Sequence, residues 1–158
     1  MVYIKTYTIK NIPKDIYRWC LRNNFNGNQN KSDSEFYGNG LMRDFLVHAM
    51  ELLTGKSKYG ELKDLKIYVA HKDGKRMGWG MSYQDYYHYR GKKMFQSFVL
   101  PRFRRRGIGT KLLERATHYH GALGVYAHEG SSKFFEKNGL TENGRITGKR
   151  LQKKKVKI

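Results

Sequence analysis

The chain has 158 residues, enough for one domain, and a domain of this size buries about 68 to 70% of its unfolded surface. With 32 Lys and Arg against 13 Asp and Glu the net charge is +19, a field that repels small cationic ligands and attracts polyanions. One cysteine excludes an internal disulfide, no apolar run reaches the roughly 18 residues of a membrane-spanning helix, and the opening Met-Val-Tyr-Ile-Lys-Thr lacks a signal-peptide layout, so a cytoplasmic protein without membrane association is expected.

Val2 to Ile9 alternates and is rich in β-branched and aromatic residues, which predicts a strand. Pro13 suits a first helical turn, and Ile16, Tyr17, Cys20 and Leu21 place one apolar stripe on the short helix that follows. Cys20, inside that stripe, reads as a core residue rather than a nucleophile. Asn23 to Gly40 is polar and aperiodic with embedded aromatics, the pattern of a surface loop, and Leu41 to Leu53 is a broad-faced core helix ending near Gly55. Leu65 to His71, an Asp73-Gly74 turn, and Arg76 to Tyr83 with Met77, Trp79 and Met81 on one face predict a β-hairpin. Tyr83 to Tyr89 crowds tyrosines around Asp85, for packing or for stacking on bases. Lys92 to Leu100 is a further strand.

Pro101 ends that strand, a basic turn with Arg104, Arg105 and Arg106 follows, and Gly107 and Gly109 open a helix carrying Ile108, Leu112, Leu113 and Ala116. At such a strand-loop-helix junction the first amides of the helix have no intrahelical partner, so an anion, above all a phosphate, is favoured there. The spacing fits neither a Walker loop, since Thr110 precedes Lys111, nor a Rossmann fingerprint, since Leu112 stands where a third glycine is needed. Further on, Val125 to His128 is a short strand and Ser131 to Asn138 a helix closed by Gly139. Thr141 to Ile158 is predicted as strand, a turn at Asn143-Gly144, then strand or a basic tail over about 145–158. Fifteen basic and nine acidic residues lie up to Arg90, against seventeen and four beyond it, so the surplus is C-terminal. That patch raises nucleic acid or a ribonucleoprotein as a partner, or a solvated basic edge. His118 and His120 share no helical face, and no metal site is expected.

Arg104-x-x-Gly107-x-Gly109, with Val99-x-Pro101 ahead of it, resembles the acyl-CoA-binding motif of the GNAT superfamily of N-acyltransferases. Ser131-Ser132-Lys133-Phe134-Phe135-Glu136-Lys137-Asn138-Gly139-Leu140 resembles that family's later Ala-x-x-Phe-Tyr-Glu-Lys-x-Gly-Phe helix, and the order of elements matches nearly the whole chain. The resemblance implies a single α/β domain over 1–158, with a mixed, mostly antiparallel sheet flanked by helices and central strands splayed at the cofactor site. It implies an acetyl-CoA-dependent N-acetyltransferase acting on a primary amine, with a macromolecular acceptor suggested by charge. Expected cofactor contacts are Phe98, Val99, Leu100, Arg104, Arg105, Arg106, Gly107, Ile108, Gly109, Thr110 and Phe135. Phe135 stands where many members have a tyrosine acid, so Tyr126, His128 or a bound water is expected to carry protons instead, with Glu129 a weaker base candidate. The alternative is a GNAT-fold module of little or no turnover that binds nucleic acid.

Overall fold

The computed structural model describes residues 1–24, 47, 50, 62–85, 92–120, 124–127, 140–145 and 149–153. The expected loop over 25–40, most of the helix over 41–53, the Ser131 to Asn138 helix and the end of the basic tail lie outside the described residues. Val47 and Met50 are helical, in keeping with the predicted periodicity.

Seven strands among the described residues form one sheet: β1 (Tyr3–Tyr7), β2 (Leu62–Lys72), β3 (Lys75–Asp85), β4 (Lys92–Val99), β5 (Gly124–Ala127), β6 (Leu140–Arg145) and β7 (Lys149–Lys153). Their order across the sheet is β1-β2-β3-β4-β5-β7-β6, and every neighbouring pair is antiparallel except β4 with β5. A mixed, mostly antiparallel sheet is therefore what the chain builds. The β2–β3 connection is the Asp73-Gly74 turn, both residues at positive φ (52° and 74°), a primed turn whose twist matches the strands it joins.

Each face of the sheet carries a helix. Helix α1 (Lys14–Arg22) has Asp15 in its first turn and Arg22 in its last, both favourable to the helix dipole. Its end is well satisfied: the Asn23 amide donates to the Trp19 carbonyl through both its backbone (3.0 Å) and its side chain (2.7 Å), and Asn24 Nδ2 donates to the Leu21 carbonyl at 2.7 Å. Cys20 of α1 is fully buried with Ile67, Val69, Trp79, Met81, Tyr83 and Phe98. Burial pushes its thiol pKa well above the usual range, so it is a packing residue and no thiolate nucleophile. Helix α2 (Ile108–His120) covers the opposite face, where Ile108, Leu112, Leu113 and Ala116 meet Tyr68, Ala70, Met77 and Phe95. Full burial of each of the three larger aliphatic chains contributes about 1.5–3 kcal/mol. Within this cluster the Tyr68 and Ser82 hydroxyls bond each other, and burial pushes Tyr68 up to about 12.

Two strand expectations need correcting. Met77 does not share a face with Trp79 and Met81: Ala70 pairs with Gly78 and His71 with Arg76, so Met77 is the extra residue of a bulge and turns into the α2-side core. Asn143-Gly144 is not the final turn either. Both lie within β6, where the register slips between Glu142 and Arg145, and the chain reverses between Arg145 and Lys149.

Candidate active site

The site is built where β4 leaves the sheet. Met94 and Phe95 pair in parallel with Gly124 and Val125, and no β4 residue beyond Phe95 pairs with β5, so the two strands part. Against β3, by contrast, β4 is paired from Lys92 to Val99. Backbone groups alternate sides along a strand. A Cβ placed on Gly78 would meet the Phe98 carbonyl at 2.8 Å and one on Gly80 the Gln96 carbonyl at 3.1 Å, which puts those carbonyls on the β3 side. Ser97 and Val99 therefore direct their backbone groups away from β3, toward the gap.

The turn after β4 is held from several sides. Leu100 N–H donates to the Met77 carbonyl (2.9 Å), and Pro101–Phe103 forms one 3₁₀ turn with Phe103 N–H on the Leu100 carbonyl (2.9 Å). The Phe103 ring packs against both core clusters and lies under two guanidinium groups, those of Arg102 at 4.8 Å and Arg106 at 5.7 Å from its centroid. Arg104 folds back on its own strand: its Nε donates to the Val99 carbonyl (2.8 Å) and its guanidinium lies 5.3 Å from the Phe98 ring centroid. Arg105 takes a left-handed conformation (φ 63°), uncommon for a side chain of this kind, and Gly107 follows at φ 78°. Open space surrounds the position where a Cβ of Gly107 would stand. The first helical bond runs from Lys111 N–H to the Gly107 carbonyl (3.1 Å). Among the described residues, no amide from Arg105 to Thr110 donates to a backbone carbonyl outside the helix ladder, where N-terminal amides have no partner.

Among the described residues the motif thus yields a run of amides without a backbone acceptor on a helix N-terminus, with Arg105, Arg106 and Lys111 exposed around it. This donor set fits a pyrophosphate, and the Ser97 backbone with the Val99 N–H, both unpaired toward β5, fits an amide-bearing arm laid against β4. Coenzyme A carries both groups.

The expected contacts divide. Arg105, Arg106, Gly107, Ile108, Gly109 and Thr110 cluster at the helix start, with the Ile108 side chain turned into the core. Val99 faces the gap. Phe98 is committed to the α1-side core with its carbonyl toward β3, and the Leu100 amide is used by Met77, so the residue that joins Val99 at the open edge is Ser97. Strand alternation counted from Pro101 carried that information. Tyr126 lies in β5 opposite Arg150 of β7, whereas His128, Glu129 and Phe135 lie outside the described residues. Sequence reading also missed Gln96, whose Nε2 donates to the Tyr83 hydroxyl (2.7 Å) on the α1 side of the sheet; two polar residues one strand apart gave no distinguishing signal. Among the described residues no cluster of three or more His, Cys, Asp or Glu is placed to hold a metal, and no helix is long and apolar enough to cross a membrane.

Comparison with known proteins agrees with this geometry. No curated protein matches the chain significantly. Solved structures do match in fold: a putative acetyltransferase from Exiguobacterium sp. 255-15 (19% identity, TM-score 0.63, covering 96% of this chain and 92% of that one) and the PaiA N-acetyltransferase from Thermoplasma acidophilum in complex with coenzyme A (15%, TM-score 0.58, 99% of each). An aminoglycoside acetyltransferase in complex with coenzyme A and kanamycin is similar as well (16%, TM-score 0.55, 96% and 92%). The family model for the acetyltransferase (GNAT) domain matches residues 63–142, from β2 through the splayed strands and α2 into β6. The chain therefore belongs to the GNAT acetyltransferases, enzymes that use acetyl-CoA as the acyl donor.

Proposed function

We propose that this enzyme transfers the acetyl group of acetyl-CoA to a primary amine carried by a macromolecule, a protein or a nucleic-acid-associated component, in the cytoplasm. The observation that carries the cofactor half of this reading is the pairing of two donor groups, the Ser97 and Val99 amides at the β4 edge and the amides from Arg105 to Thr110 at the helix start. Acetyl-CoA supplies an activated thioester. An amide at the β4 edge is positioned to polarise a carbonyl oxygen. The acceptor amine has to lose a proton and the departing thiolate, with a thiol pKa of about 8.5 by analogy with cysteine, has to gain one. Tyr126 and His128 are the proposed carriers, since Phe135 has no proton to give.

The acceptor half rests on charge. Kanamycin, bound by one structural relative, is a polyamine. A chain of net charge +19 repels such a ligand and attracts an amine attached to a polyanion. Direct binding of a nucleic acid is a second reading, favoured by one observation: seventeen basic residues stand against four acidic ones beyond Arg90. If it holds, RNA affinity falls steeply with salt, and truncation of the chain after Lys153 flattens the slope.

Calorimetric titration with acetyl-CoA tests the cofactor site. Micromolar binding by the wild type, lost in a Gly107→Glu, Gly109→Glu variant, is expected. A folded wild type that fails to bind overturns the reading.

A further inference from the structure

A second concave site lies beside the cofactor turn. It is a cleft of about 670 Å³ walled by the end of α1 (Trp19, Asn23), the β2–β3 turn (Gly74, Lys75, Arg76) and the segment leaving β4 (Leu100, Pro101, Arg102). All three walls are tied to β3. Trp79 Nε1 donates to the Asn23 carbonyl (2.5 Å), the primed Asp73-Gly74 turn leads directly into the strand, and Leu100 N–H donates to the Met77 carbonyl (2.9 Å). The cleft is thereby preformed, and its volume lies within the range of small-molecule sites, about 300–1,000 Å³.

Its chemistry is one-sided. Lys75, Arg76 and Arg102 contribute three cations, and among the described residues no carboxylate lines it. Arg76 donates to Asp15 from α1 (2.6 Å), which fixes its guanidinium 5.9 Å from the centre of the Trp19 ring. Arg102 lies on Phe103, and Lys75 is exposed. Asp15 neutralises one of the three cations, so among the described residues two positive charges, Lys75 and Arg102, stand without a salt-bridge partner around a half-buried indole and the buried Leu100. A small oxyanion with an apolar or planar portion matches this combination: charge on Lys75 and Arg102, carbon surface on Trp19 and Pro101.

We propose that this cleft is an oxyanion-binding site, distinct from the cofactor cradle, that accepts a multiply charged carboxylate or phosphate group. It opens on the α1 face of the sheet, while α2, whose N-terminus forms the cradle, packs on the other. On the transferase reading, this is where an acidic group borne by the acceptor rests.

The test is calorimetric titration of the protein with citrate and, separately, with tripolyphosphate, each in the absence and presence of saturating coenzyme A, with tryptophan fluorescence of a Trp79→Phe variant, which reports Trp19, as a second readout. Expected is binding of at least one probe that persists under coenzyme A, weakens at least tenfold in Lys75→Glu, and is unchanged in Lys5→Glu, which makes the same charge change on β1. The better probe identifies the carboxylate or phosphate source. Absence of binding, displacement of both probes by coenzyme A, or equal loss in the two variants overturns the site; the last would mean a diffuse positive field. Because coenzyme A binding is measured by itself, failure of the cofactor reading is seen separately from failure of the cleft.

Discussion

The two edges of β4 meet opposite fates. Toward β3, eight consecutive residues are paired, and the strand is as fixed as any in the sheet; toward β5, pairing stops after Phe95. Unpaired strand amides are costly when dry and invite another strand. Here they are left open beside a helix N-terminus that is also short of acceptors. One strand thus has one edge locked into the sheet and the other left unpaired beyond Phe95, and the two orientations alternate between adjacent residues.

The largest expected effect separates the edges directly. Gln96→Pro removes an amide from the β3 side and should cost about 3 kcal/mol beyond the Gln96→Ala reference, by loss of a ladder bond and strain against a fixed strand. Ser97→Pro removes an amide from the open side. It should leave the melting temperature within a few degrees of wild type while weakening acetyl-CoA binding at least tenfold. Denaturant unfolding and calorimetry on the pair decide, and equal destabilisation would mean that both edges are structural.

Next is Phe103→Ala, which withdraws a half-buried ring from both cores and the platform beneath Arg102 and Arg106; a loss of about 2 kcal/mol is expected, with weaker acetyl-CoA binding. Arg105→Gly is smaller and of mixed sign. Relief of the left-handed backbone should raise stability by about 0.5–1 kcal/mol, while loss of a cation raises the KM for acetyl-CoA and flattens its salt dependence. The smallest concerns Asp15, whose carboxyl is held below its ordinary value chiefly by the hydrogen bond from Arg76. A depressed carboxylate contributes stability above its unfolded pKa and loses it as pH falls through the folded value. Below about pH 4 the wild type should lose stability more steeply than Asp15→Asn, which thermal unfolding at pH 7 and pH 3 will show.

Much of this was readable in the residues. The Asp73-Gly74 turn, the stripe of α1, and the Pro101 to Gly109 junction each follow from local physics: backbone angles, helical spacing and the unmet amides of a helix start. What escaped depends on partners distant in sequence. Met77 changes faces because of a bulge against His71, a register fact invisible along one strand. Asn143-Gly144 has the composition of a turn, yet β7 pairs across it. The Leu100 amide belongs to the Met77 carbonyl, and only the three-dimensional ladder shows that Ser97 is the residue whose backbone, with the Val99 N–H, points to the unpaired edge.

Phe103 ties the binding turn to both halves of the hydrophobic interior, so the turn and the fold form one cooperative unit. Local opening of the turn should then require part of the free energy of global unfolding, and its hydrogen-bonded amides, those of Leu100 and Phe103, should be protected from solvent exchange. The linkage runs the other way too. Ligand at about a hundred times its Kd adds about 2.7 kcal/mol to the stability of the whole domain, because no subset of the chain can unfold and leave the bound turn behind.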